Sequence, residues 1–150
     1  MIEVVGAPFL ITELRKFHGD GWIFLPEVRL GTGYGHLVET RIDAWAIQAW
    51  TRRGIRNLRR AFEVKVTPGD ILSELRNPDK RWLAYAVSHE FYFVAPTGLI
   101  KPKLLTKDDG LIEWGSGKLK IVKAPRTREG MPPRWDFVAS LARRINGGEL

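Results

Sequence analysis

The chain has 150 residues, the length of one ordinary domain, and its 44% hydrophobic and 27% charged residues describe a globular protein rather than a disordered or membrane-spanning one. It has no cysteine, which excludes a disulfide framework, a thiolate zinc site and a cysteine nucleophile, and leaves carboxylates, carbonyls and histidine to hold any metal. Twenty-four Lys and Arg against seventeen Asp and Glu give a net charge of +7 and a pI near 10.0, a balance that favours a polyanionic partner such as nucleic acid or an anionic membrane face.

No repeat or low-complexity linker interrupts residues 1–150, so one domain is expected. Residues 7–18, APFLITELRKFH, place Leu10, Leu14 and Phe17 at helical spacing and stop at Gly19. WIFLPEVRL (22–30) reads as a strand in which Pro26 marks an edge or a bend. The turn GTGYGH (31–36) has no helix after it to bind phosphate. RIDAWAIQAW (41–50) alternates as a strand, with Ile42, Ala44 and Ala46 on one face and Asp43, Trp45 and Ile47 on the other. TRRGIRNLRR (51–60) follows, a loop with five arginines and no acid. AFEVKV (61–66) is a short strand that puts Glu63 and Lys65 on one face.

Thr67-Pro68-Gly69-Asp70 caps a short helix over ILSEL, and a longer helix is expected after Asn77-Pro78. HEFYFVAP (89–96) is a strand ended by Pro96, and residues 110–125 form a hairpin turning at Gly115-Ser116-Gly117. RWDFVASLARRI (134–145) is an amphipathic closing helix. The expected class is α/β, a mixed sheet flanked by helices with a C-terminal hairpin and helix.

Asp43 lies on one strand and Glu63-Val64-Lys65 on the next, twenty residues on. Strands sit about 4.8 Å apart, so paired Asp43 and Glu63 can share a cation. A hard divalent ion such as Mg²⁺ takes a few carboxylates plus water and substrate phosphate, and an adjacent lysine can orient water or stabilise developing charge. That set of groups suits phosphodiester hydrolysis.

RIDAW…FEVKV, a helix, then HEFYFVAP resembles the PD-(D/E)xK nuclease superfamily, whose fold is the restriction-endonuclease-like core. VKVTPGDILSELRNPDKRWLAYAVSHEFYFVAPTGLI is similar to phage-encoded and MmcB-like DNA-repair members, and the resemblance spans about residues 7–125. It implies a Mg²⁺-dependent deoxyribonuclease, with Mn²⁺ as a substitute, in which Asp43 and Glu63 are metal ligands, Lys65 is the catalytic lysine and the Val64 carbonyl is an extra ligand. Glu13, on the first helix, matches an acidic residue that many members add to the metal site. Some members carry Gln and Tyr four apart on the helix after E-x-K; here Arg81 and Tyr85 hold that spacing and are candidates to contact nucleic acid. The sequence departs in having Ile42 where the family has proline, and in its arginine-rich loop.

DNA is the expected partner, gripped by Arg52, Arg53 and Arg56. The alternatives are an inactive nuclease-fold DNA-binding module and a basic RNA-binding protein. No apolar run approaches the ~20 residues that span a bilayer, and no signal-peptide pattern opens the chain, so an intracellular, cytoplasmic protein of a bacterium or a phage-infected host is expected. The closing helix, with Trp135 and Phe137, is a candidate for pairing two copies as well as for the core. His18 is expected to complement the helix dipole, His89 to be structural, Asp108-Asp109 to form a turn, and most of the six tryptophans to be core. Trp50, beside Arg52 and Arg53, is a candidate to stack on a base. His36 and Glu39 are weaker candidates for the site.

Overall fold

The computed structural model describes residues 5–30, 40–52, 54–76 and 81–147. His36, Glu39 and Arg53 lie outside the described residues. Chain order is α1 (Ala7–His18), β1 (Trp22–Leu30), β2 (Thr40–Gln48), β3 (Thr51–Arg52), β4 (Ile55–Arg56), β5 (Arg59–Val64), α2 (Pro68–Arg76), α3 (Trp82–Ala86), β6 (Glu90–Pro96), β7 (Asp109–Gly115), β8 (Lys118–Lys123) and α4 (Trp135–Ile145). The main sheet runs β1-β2-β5-β6-β7-β8, and β3-β4 form a separate small ladder.

Connections set the strand directions. β2 runs antiparallel to both of its neighbours, β1 and β5. The α2–α3 crossover then brings β6 back parallel to β5, and the 97–108 segment brings β7 parallel to β6. β7 and β8 are joined by Ser116 and Gly117, with φ of 52° and 77°. Two positive φ values are what a two-residue turn needs to match the strand twist. The result is a mixed α/β sheet, as expected.

The sheet buries both faces. On one, Leu10 and Leu14 of α1 cover Phe24, Ala44, Phe62, Val64, Tyr92 and Ile112. On the other, Ile71, Ala84 and Phe137 bring α2, α3 and α4 onto Trp45, Ala61, Phe91, Phe93 and Leu111. At ~1.5–3 kcal/mol for each fully buried large side chain, these two layers are the main stabilising term.

Several expectations are corrected. The inward row of α1 ends on His18, not Phe17, which is 39% exposed. The buried His18 ring meets the last turn of α1 as a capping residue should, its Nδ1 lying 2.8 Å from the Leu14 carbonyl, and it also packs inward, its Nε2 lying 3.3 Å from Arg60. β5 begins at Arg59, so two of the five arginines belong to the sheet; Arg60 is buried and paired with Glu90 at 3.0 Å. Residues 77–80 lie outside the description, and α3 is only five residues long. Trp45 is buried, whereas Trp50, Trp82 and Trp135 are exposed. No helix among the described residues is long and apolar enough to cross a membrane.

Candidate functional site

The β2–β5 ladder ends where the carboxylates begin. Its last registered pair is Ala44↔Phe62, which sets Asp43 across from Glu63. The Gln48 amide donates to the Leu58 carbonyl, so every second pair along the ladder is a bonded pair. Continued, the ladder would aim the Val64 N–H at the Ile42 carbonyl. Instead that N–H donates to Asp43 Oδ2 at 2.7 Å. Asp43 therefore caps the ladder with its side chain and is fixed by backbone.

Strict alternation fails at the same place. Leu25 and Val28 on β1, and their partners Trp45 and Ile42 on β2, all join one core layer although each pair is three residues apart. The sequence pattern had set Ile42 and Trp45 on opposite faces. Both strands change face between these pairs, at Pro26-Glu27 and at Asp43-Ala44. Glu27 takes up the change with a φ of 53°, an uncommon conformation for a non-glycine residue and one found at functional sites. A cavity of about 240 Å³ opens here, lined by Ala7, Pro8, Ile11, Glu27, Asp43 and Val64.

Charge is dense on the Glu63 side of Asp43. Lys65 Nζ lies 3.7 Å from Glu63 Oε2 and 3.1 Å from Glu74 Oε1. Burial, then the neighbouring Asp43 carboxylate, push the Glu63 pKa from the ordinary 4.5 to about 8, although Lys65 opposes the rise. Burial alone would lower Lys65, but Glu63, Glu74 and Asp43 together hold its pKa above the ordinary value. Just past β5, the Lys65 amide donates to the Val94 carbonyl at 2.9 Å, so its backbone is as fixed as a strand residue's.

Behind Lys65 the ion pairs continue inward. Arg81 Nη1 lies 3.0 Å from Glu74 Oε2 and Arg81 Nε 3.7 Å from Asp109 Oδ1. Arg81 Nε also donates to Tyr85 Oη at 3.1 Å, and Tyr85 donates to Asp109. Burial, then the bond to Asp109, raise the Tyr85 pKa to about 12. Arg81 and Tyr85 share a face as their spacing required. The Arg81 side chain is only 5% exposed, so it anchors Glu74 rather than reaching for a phosphate. Asp109, expected in a turn, is the buried base of this network.

Other candidates fall elsewhere. Glu13 pairs with Lys16 at 3.3 Å, and the α1 residues beside Asp43 are Ala7, Pro8 and Ile11. Val64 joins the site through its amide. The β3–β4 hairpin carries Arg52 and exposed Arg56, and it sits at the other end of β2 and β5. Five strand residues from Asp43 to Gln48 put it on the order of 17 Å away. Glu74 is the residue that sequence reasoning missed; its signal was an acid three positions after Ile71, on the buried face of α2.

No family model and no curated protein matches the sequence. Among solved structures, a protein of unknown function from Silicibacter pomeroyi superposes with a TM-score of 0.63. The match covers 98% of this chain and 88% of that one at 13% identity. At that identity the likeness shows the fold alone.

Proposed function

We propose that this chain is a divalent-metal-dependent deoxyribonuclease with a restriction-endonuclease-like core. The observation that carries the reading is the meeting of Asp43 and Glu63 at the end of the β2–β5 ladder with Lys65 beside them. The order α1, three antiparallel strands, a helical crossover and a parallel strand supports the fold assignment.

The donor set fits a hard cation. Burial first, and the facing Asp43 carboxylate second, make Glu63 hold its proton to about pH 8, so a divalent ion would relieve the cost of charging this pair. Among the described residues no third acidic or histidine side chain completes a protein cage. Mg²⁺ suits such a site because it keeps several waters and uses substrate phosphate as a ligand. Asp43 and Glu63 would hold the ion, which supplies charge neutralisation at the phosphoryl oxygens and a more acidic bound water.

The chain's own groups do the rest. The Val64 amide fixes the Asp43 carboxylate. Glu74 holds Lys65 Nζ beside Glu63 and blocks its free rotation. The ammonium is then aimed where negative charge develops on the phosphate, a preorganised stabilisation that needs no rearrangement during reaction. Incubating the protein with single-stranded, duplex and branched DNA, with EDTA, Mg²⁺ or Mn²⁺, tests the reading. Metal-dependent fragments absent from a Glu63→Ala preparation support it; intact DNA under every condition refutes it.

A further inference from the structure

Beside Glu27, on the flank of the site facing α4, lies a cleft of about 210 Å³ lined by Arg29, Arg41, Arg143, Arg144, Ser140 and Glu27. Among the described lining residues, four arginines stand beside one carboxylate. Arg29 and Arg41 are direct cross-strand partners on β1 and β2, so strand register brings the two side chains to the same part of the cleft. Ser140, Arg143 and Arg144 come from one face of α4, at the i, i+3 and i+4 positions that a helix stacks together. Arg144 is anchored by donating to the Pro26 carbonyl at 2.9 Å. The Nε of Arg143 is buried and has no hydrogen-bond partner among the described residues. An orphaned buried donor costs stability unless something occupies it.

Arg41 joins this cleft to the carboxylates. It also lines the narrow crevice formed with Glu63, Glu74 and Arg81. Glu27 likewise borders both the arginine cleft and the cavity beside Asp43. Among the described residues, Arg56 of the β3–β4 hairpin lines neither this cleft nor the crevice, the hairpin being at the far end of the strands.

The geometry points to the Arg29–Arg41–Arg143–Arg144 cleft as the seat of a nucleic-acid backbone phosphate next to the one presented to Asp43 and Glu63. This rests on the nucleic-acid reading above and adds the surface that grips the strand. Guanidinium groups suit the task because their planar donors match phosphate oxygens two at a time. The cation-rich last turn of α4 also complements its helix dipole, but that effect asks for neither Arg29 nor Arg41.

The test is duplex oligonucleotide binding across a salt series, with Ca²⁺ as a non-cleaving ion, for the wild type, Arg41→Gln/Arg143→Gln and Arg56→Gln. Each lost phosphate contact on duplex DNA flattens the log–log salt slope by about 0.9. The double variant is expected to lose about 1.8 of slope and roughly tenfold or more in affinity at low salt. Its melting temperature should hold or rise, since like charges are removed. Arg56→Gln should keep the wild-type affinity to within the effect of one remote charge.

An unchanged slope in the double variant overturns the inference, as does protection against thermal unfolding by inorganic phosphate equal to that by the oligonucleotide, which would make this a small-anion site. A fall in melting temperature with unchanged binding would assign the arginines to the fold and equally overturn it. Failure of the nuclease reading shows differently: the slope is lost in the double variant, yet the wild type leaves DNA uncut in Mn²⁺.

Discussion

Glu74 Oε1 stands 3.1 Å from Lys65 Nζ while its other oxygen, Oε2, stands 3.0 Å from Arg81 Nη1. One carboxylate, with its side chain only 3% exposed, therefore holds two cations. The arrangement ties α2 to β5 and to the start of α3, and it determines where the Lys65 ammonium can go.

Glu74→Ala should consequently be costly. Removing one partner from a buried ion pair leaves an uncompensated charge, typically 3–5 kcal/mol. Denaturant unfolding of Glu74→Ala should show a loss of about that size. Glu74→Gln, which retains hydrogen-bonding oxygen, should lose less. Equal stability of wild type and Glu74→Ala would mean that the two cations reach solvent and the network carries little energy.

Stability should also depend on pH through Glu63. Its folded-state pKa of about 8 lies above the ordinary 4.5, so the folded protein binds the proton more tightly than the unfolded chain does. The resulting stabilisation is complete below about pH 4.5 and is lost as pH rises through about 8. In metal-free buffer, the melting temperature of Glu63→Gln should therefore fall less than that of the wild type between those limits. Parallel profiles for the two proteins would place the titration elsewhere.

Metal should reverse that loss. A ligand bound only by the folded state adds RT ln(1 + [L]/Kd), about 2.7 kcal/mol at a hundredfold excess over Kd. Mg²⁺ or Mn²⁺ should raise the melting temperature at pH 8 more than at pH 6, because the ion competes with the Glu63 proton. Asp43→Ala and Glu63→Ala should each abolish the shift. A full shift retained in Glu63→Ala would move the ion away from this ladder end.

Which parts of this were legible in the sequence follows from the range of the interactions involved. Strand periodicity, Pro26, the Gly117 turn and the Leu10–Leu14 spacing are local, and each produced the element expected of it. The pairing of Asp43 with Glu63 was legible because two adjacent antiparallel strands leave few registers. The face change at Glu27 and Asp43 was not, since a positive φ at a glutamate leaves no mark in composition. Arg60 looked like part of a basic loop, yet it is buried against Glu90 thirty residues away, with its guanidinium 4.8 Å from the Trp22 ring centre. Arg29 and Arg41 passed unnoticed for a related reason. Neither lies in an arginine run, and only strand register brings them together with α4.

Lys65 gives the sharpest separation of enzyme from binder. Its ammonium is held beside Glu63 by Glu74, so its placement does not depend on substrate. Removing a contact made chiefly in the transition state lowers the rate without weakening ground-state binding. Lys65→Ala should therefore lower DNA cleavage at least ~100-fold, the loss typical of one preorganised charge-stabilising group. DNA affinity measured in Ca²⁺ should change little, because one lysine is a small share of the electrostatic term. The fold should tolerate the change better than it tolerates Glu74→Ala, since Glu74 keeps Arg81 as a partner. Single-turnover cleavage and equilibrium binding on the same oligonucleotide read the two effects apart. Loss of affinity with cleavage unchanged would show that Lys65 binds phosphate and does no chemistry.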